Sequence, residues 1–278
     1  MKKFILGAIA CFAITATASA ADLSPRAYTK APVYDPGYNW SGFYLGLNAG
    51  GAWGRSDSAT STVFSPTGYF APSSVPAIAA VGAQRPDSSG FTGGLTAGYN
   101  WQAGNALFGL EADFNYFGLR GSTSGTGIYP CCAPTSFTVN TSVSTDWLIT
   151  LRPRVGLIAG NNWLFYVTGG LAAANIKTNF NFTDTFATAA ESASISKTKV
   201  GWTVGGGVEY ALLNGWSVKA EYLYVDLGSD STTSTNLTAF TPPIAFPTNV
   251  YTHSTDLRAN VVRAGINYKF GGPVVAKY

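Results

Sequence analysis

The feature that most constrains this chain is a two-residue periodicity that recurs in eight segments. In each segment, large apolar residues alternate with small or polar ones, as expected for a β-strand with one apolar face. The first segment reads GFYLGLNAGGAWG, and Phe43, Leu45 and Leu47 share its apolar face. The pattern predicts strands at 42–54, 90–101, 106–118, 147–158, 163–174, 200–211, 215–227 and 257–270.

The connections between these segments alternate strictly between long and short. The long ones are 55–89, 119–146, 175–199 and 228–256, and the short ones are 102–105, 159–162 and 212–214. Each segment is long enough for a tilted membrane strand, which needs ~9–11 residues. The sequence therefore predicts an all-β, eight-stranded antiparallel up-and-down transmembrane β-barrel, with four long external loops and short periplasmic turns.

The first twenty residues have the features of a secretory signal. Lys2 and Lys3 precede an apolar run, and Ala18-Ser19-Ala20 forms a cleavage site of the A-x-A type, which predicts a cut between Ala20 and Ala21. A lipoprotein signal at Cys11 is disfavoured because Ala8 stands where leucine is usual. The predicted organisation is a signal peptide (1–20), a periplasmic extension (21–39), the barrel (40–270) and a tail (271–278).

Composition supports a membrane protein without spanning helices. Only 11% of residues are charged, against about 25% in soluble domains, and removal of Lys2 and Lys3 leaves a nearly neutral chain. No basic patch suggests a nucleic-acid partner. No apolar run after the signal approaches the ~18 residues of a membrane helix, and a β-barrel is the other structure that satisfies its backbone in lipid. A soluble, lipocalin-like barrel is the alternative, disfavoured by the long loops and the glycine-rich polar face.

The seven tryptophans are placed at the ends of the predicted strands. Tryptophan prefers the headgroup level of a bilayer, so we expect all seven near a membrane interface. The periplasmic set is Trp40, Trp101, Trp163 and Trp216, and the external set is Trp53, Trp147 and Trp202.

Charged residues on the polar strand faces are predicted to point into the barrel. An eight-stranded barrel has an interior just wide enough for its own side chains, and buried charges must pair. We therefore expect a salt-bridged plug, with Arg152 paired to Glu111 or Asp113, rather than the selectivity filter of an open channel. The predicted interior set is Glu111, Asp113, Arg152, Arg154, Glu209, Lys219, Glu221, Arg263 and Lys269.

Residues with catalytic or ligand potential are few. His253 precedes Ser254 and Asp256 in the last long connection, but neighbours along an extended loop need not converge, so we interpret it as a solvated loop histidine. The adjacent Cys131 and Cys132 lack zinc-site spacing, and they form a vicinal disulfide, pair between chains or stay reduced. The sequence predicts no catalytic site, metal or cofactor.

Several motifs resemble one family when they are taken in order. They are WSGFYLGLNAGGAWG at 40–54, GGLTAGYNWQ at 93–102, FGLEADF at 108–114, YVTGGLA at 166–172, GWTVGGGVEYAL at 201–212, AEYLYVDLG at 220–228 and VRAGINYKF at 262–270. The chain resembles the OmpA-like porin family of small outer-membrane β-barrels, which includes immunogenic surface proteins of Gram-negative bacteria.

The resemblance implies an integral outer-membrane protein with a role in envelope integrity, surface interaction or limited permeability. Expected partners are outer-membrane lipid and lipopolysaccharide, the barrel-assembly machinery, and an external ligand or host surface contacted by the loops. A narrow porin-like channel is the alternative function, and a barrel enzyme is a less favoured one.

Two departures from the family pattern carry their own expectations. Pro153 lies within the predicted fourth strand, where the loss of a ladder hydrogen bond predicts a local bulge. Phe270 ends the last alternating segment before Gly271-Gly272-Pro273, and the resemblance implies that this terminal aromatic is an assembly signal. The second departure is the tail, residues 271–278, which follows this aromatic and is predicted to be an appendage.

Overall fold

The computed structural model describes residues 38–160 and 162–271. Its strands are β1 (Gly42–Arg55), β2 (Ser58–Thr62), β3 (Asp87–Ala103), β4 (Ala106–Phe117), β5 (Arg120–Ile128), β6 (Ser136–Ala159), β7 (Trp163–Asp184), β8 (Ala190–Ala211), β9 (Trp216–Ser234), β10 (Thr238–Ala239), β11 (Ile244–Ala245) and β12 (Tyr251–Lys269), and its one described helix is α1 (Ser74–Gly82). None of the helical structure described is long and apolar enough to cross a membrane. Ala20, Ala21, nearly all of the predicted extension and residues 272–278 lie outside the described residues.

Eight of the strands close into a ring. Antiparallel pairing runs in the order β1, β3, β4, β6, β7, β8, β9, β12. The ring closes between the first and last strands, where Leu45 pairs with Tyr268 and Trp53 with Asn260. The predicted eight-stranded up-and-down barrel is therefore confirmed.

The barrel has its apolar side chains on the outside. Leu47, Leu95 and Val167 point outward and are exposed, whereas Asn48 and Thr96 point inward and are buried. Because successive residues of a strand face opposite sides of a sheet, one alternating pattern produces both surfaces. This arrangement is the reverse of that in a lipocalin-like barrel, where the apolar side chains point inward. It suits a barrel whose outer surface contacts lipid.

The strands extend further from the membrane than predicted. β6 begins at Ser136 rather than at 147, β7 continues to Asp184 rather than 174, and β8 begins at Ala190 rather than 200. The reason is that the pattern inverts beyond the lipid, where Phe180 and Phe182 are buried inside while their neighbours Asn179 and Asn181 are exposed. We call the structure formed by 55–89, 119–146, 175–199 and 228–256 the external head.

The expectation of a bulge at Pro153 is wrong. Leu151 pairs with Leu171 and Arg154 with Thr168 in one unbroken register, and the Thr168 hydroxyl donates a hydrogen bond of 2.9 Å to the Pro153 carbonyl. The register shift in this strand pair lies instead between Thr145 and Leu148. The closed sheet therefore accepts the missing donor of proline without displacing the chain.

Candidate functional site

The centre of the lumen is occupied by a buried ion-pair network around Arg152. Its guanidinium Nη2 lies 2.6 Å from Glu111 and 2.5 Å from Asp113, and its Nη1 lies 3.0 Å from Glu221. These carboxylates come from β4 and β9, on different sides of the ring, so one side chain bridges the lumen. The predicted pairing of Arg152 with acidic residues of β4 is present in the structure.

Other predicted interior charges extend this network. Arg263 lies 2.9 Å from Asp113, Lys219 lies 2.9 Å from Glu111, and Arg154 lies 3.1 Å from Glu209. All six of these side chains are buried. Buried charges are tolerated when they are paired and hydrogen-bonded, and each of these six side chains has an ion-pair partner.

Lys269 is the exception among the predicted interior charges. It is half-buried at the periplasmic end, where its ammonium donates to the backbone carbonyl of Asn39 at 2.5 Å and lies 5.1 Å from the centre of the Tyr38 ring. It makes no ion pair with the acidic residues described in the network. Its inward orientation was predicted from strand parity, but its height along the barrel separates it from the network.

An apolar layer closes the lumen on the periplasmic side. Trp40 is only 2% exposed, and its ring centre lies 4.8 Å from that of Tyr38. The two rings pack against the inward-facing residues Leu107, Ile158, Leu164, Tyr166 and Ala211. The prediction that Trp40 lies in the interfacial belt is wrong, because the residue precedes β1 and the chain turns its side chain into the barrel.

A second apolar layer lies on the external side of the charges. It combines inward-facing residues from most strands, among them Phe117, Leu148, Leu223 and Val261. The charged centre therefore lies between two apolar layers. These layers exclude water from the ion pairs. The alternating pattern predicted the charged layer but not these two, because they depend on the height of a residue along the barrel.

The remaining tryptophans form the outer belts. Trp101, Trp163 and Trp216 are exposed near the periplasmic ends, and Trp53 and Trp202 are exposed on the external side. Trp147 is half-buried. Trp147 and Trp202 lie within strands rather than at their ends, because the strands continue into the external head.

His253 is buried inside the external head, so its interpretation as a solvated loop residue is wrong. Its Nδ1 lies 3.0 Å from the Thr60 hydroxyl, and its Nε2 lies 3.3 Å from Glu191 and 3.5 Å from Ser234. The imidazole stacks on Phe180 with ring centres 4.6 Å apart. The contact between His253 and Glu191 was not predicted, because both residues lie in segments that the sequence pattern assigns to loops. The alternation that places Phe180 and Phe182 on one face is the signal that indicates a strand there.

The two cysteines and Phe270 lie at opposite ends of the barrel. Cys131 and Cys132 are joined as a vicinal disulfide in the external head, which is one of the three alternatives left open by the sequence. At the periplasmic end, the exposed ring of Phe270 lies 5.8 Å from Phe43 and 5.0 Å from Tyr268 between centres. The last strand ends at Lys269, next to the predicted stop.

The chain has relatives among bacterial outer-membrane proteins. It is 35% identical over 274 residues to the 31 kDa outer-membrane immunogenic protein of Brucella melitensis, a match that covers 97% of this chain and 100% of that protein. It is 27% identical over 272 residues to the 25 kDa outer-membrane immunogenic protein of Brucella abortus, with 97% and 99% covered. It is 30% identical over 200 residues to the 22 kDa outer membrane protein of Rhizobium leguminosarum bv. viciae, with 72% and 70% covered.

The family assignment agrees with the fold and with these relatives. The protein is an outer-membrane β-barrel of a Gram-negative bacterium with a surface or envelope role. Residues 6–270 match the outer membrane protein beta-barrel domain, and the chain therefore belongs to that family.

Proposed function

We propose that this protein is a closed, non-conducting and non-catalytic barrel that supports the envelope and holds its external head in a fixed geometry. The observation that carries the proposal is the position of Arg152, which contacts Glu111, Asp113 and Glu221 across the lumen. The apolar layers on either side add a further obstruction to hydrated solutes. An interior of this width is readily filled by its own side chains.

The arrangement around His253 favours a structural role over catalysis. A nucleophile triad needs the histidine between its carboxylate and its hydroxyl, with one partner on each ring nitrogen. Here Thr60 faces Nδ1 and Glu191 faces Nε2, but Thr60, His253 and Glu191 are all buried, so a substrate does not reach the Thr60 hydroxyl. Strand alternation also places Ser254 and Asp256 on the face opposite to the buried His253.

Conductance of the refolded mature protein in planar bilayers tests the proposal. We expect at most small, infrequent steps from the wild-type barrel. The paired variant Arg152→Ser/Glu111→Ser removes one positive and one negative charge from the central layer, so it should conduct more often. Trp163→Ala, which changes an outward-facing ring, is the control and should behave as wild type.

Large, stable openings of the wild-type protein at neutral pH would contradict a closed lumen. They would support the narrow porin-like channel instead. The folded state of each variant is checked by its gel migration before and after boiling, so that leakage through misfolded protein is not counted as conduction.

A further inference from the structure

The tip of the external head contains a small aromatic cavity. Its volume is about 170 Å³, and its walls include the rings of Tyr69, Phe70, Tyr129 and Phe186 together with the Cys131–Cys132 disulfide. These residues come from the β2–α1, β5–β6 and β7–β8 connections, which the long strands bring together. Their convergence depends on contacts between distant connections, which the periodicity of the sequence does not encode.

The rings around the cavity pack edge-to-face against one another. The Tyr69 ring meets Phe70 at 79° with centres 5.1 Å apart, and meets Phe186 at 60° with centres 6.2 Å apart. Phe70 and Tyr129 are buried, whereas Phe186 is 53% exposed. Phe186 therefore borders the mouth of the cavity, and the other rings form its interior.

A carboxylate lies at the hydroxyl ends of two of these rings. Asp184 Oδ2 accepts hydrogen bonds from the hydroxyls of Tyr69 at 2.6 Å and Tyr129 at 3.0 Å. The backbone N–H of Ala189 donates to its other oxygen at 2.7 Å. Asp184 forms no ion pair with any Lys, Arg or His of the described chain, and no such residue lines the cavity.

The two tyrosine hydroxyls are donors in this group. Burial and the neighbouring Asp184 raise the pKa of both Tyr69 and Tyr129. The phenols therefore stay protonated at neutral pH and donate to the carboxylate. The Asp184 carboxyl group therefore lies at the hydroxyl ends of two rings of the cavity, and no Lys, Arg or His of the described residues pairs with it.

We propose that this cavity, which we call the aromatic cage, binds a methylated ammonium group such as that of choline. Several aromatic faces attract a cation through their quadrupoles, and quaternary ammonium groups are recognised in this way. The volume suits a group of that size, because a cavity of roughly 150 Å³ holds one benzene ring. A bare ammonium is strongly hydrated, so methylation favours entry into an apolar cage.

Titration calorimetry with choline chloride tests the cage on the refolded barrel. The detergent should be a maltoside, since phosphocholine and amine-oxide detergents would supply a competing head group. The matched probe is 3,3-dimethylbutan-1-ol, which has the shape of choline without its charge. We expect choline to bind about tenfold or more tightly than this neutral alcohol, in keeping with a cation–π contribution.

Equal binding of the two probes, or no binding of choline, would overturn the proposal. Equal binding would mean that the cavity accepts small apolar groups regardless of charge. Measurement at two concentrations of sodium chloride separates the cage from diffuse attraction, because a simple surface charge effect is screened by salt.

Three variants locate the binding. Phe186→Leu should weaken choline binding about tenfold by removing a cation–π face, and Asp184→Asn should weaken choline binding while leaving the neutral alcohol unchanged. Phe64→Leu alters an exposed ring of the head that does not line the cavity, and it should bind choline as wild type. If Asp184→Asn fails to fold, Phe186→Leu still decides the matter, since identical affinities of Phe186→Leu and Phe64→Leu would refute the site.

Discussion

Arg152 donates to carboxylates of two strands in an interior that water does not reach. The stability of such a residue depends on its partners, because a buried charge left alone keeps its full desolvation cost. Arg55 carries the same charge in a different setting, since its pair with Asp87 at 3.3 Å is largely exposed. An exposed pair gains little free energy because water and salt screen it.

At the residue scale, Arg152→Ala should lower the free energy of unfolding by about 3–5 kcal/mol, as expected when one partner of a buried ion-pair network is removed. Arg55→Ala should lower it by less than about 1 kcal/mol. Urea unfolding of the refolded protein in lipid vesicles, followed by tryptophan fluorescence, measures both. A similarly small decrease in the free energy of unfolding for both variants would mean that the central charges are solvated.

The last strand illustrates how an element is terminated. The Phe270 N–H donates to the Phe43 carbonyl at 2.9 Å, and Gly271 adopts a φ of +88°, which breaks the extended backbone. The aromatic ring is thus fixed on the outer surface at the closure of the ring. An exposed aromatic at this level anchors the barrel in the interface.

We therefore expect Phe270→Ser to impair membrane insertion, whereas a chain that lacks residues 271–278 should insert nearly as well as the full chain. The amount of each variant in outer-membrane fractions of the expressing cells measures its insertion. The opposite result, with insertion lost on truncation and kept in Phe270→Ser, would move the assembly signal to Tyr278.

The extended strands make a second prediction about elements. In β7, residues 175–183 lie beyond the predicted membrane strand yet pair continuously with β8. Their amides should exchange slowly with deuterated water, because ladder hydrogen bonds protect them. Residues 64–73, which have no strand structure, are the internal comparison and should exchange fast. Equally fast exchange in both segments would show that the head is not a folded sheet.

The whole molecule has a closed sheet with no free edge at the level of the membrane. Its strands cannot unravel from an edge, so mild detergent should leave the barrel folded. We expect unboiled protein to migrate differently from boiled protein in detergent gels. Identical migration of the two samples would contradict a closed barrel.

The sequence alone determined the ring of eight strands, because a membrane barrel requires each strand to alternate between lipid and lumen. The same alternation oriented Glu111, Arg152 and Glu221 inward, since side-chain direction is a local property of a strand. It also located the end of the last strand, where Gly271 and Pro273 stop the pattern.

Only the tertiary structure decided where side chains meet along the barrel axis. Lys269 lies at a different height along the barrel axis from the central charges. The chain before β1 turns so that Trp40 points into the lumen. The sequence pattern did not predict the external head, because its strands are surrounded by water rather than lipid. Their outer face is therefore polar, and the alternation expected of a membrane strand is inverted. The surroundings of His253 and the aromatic cage depend on contacts between distant connections, and no periodicity along the chain encodes such contacts.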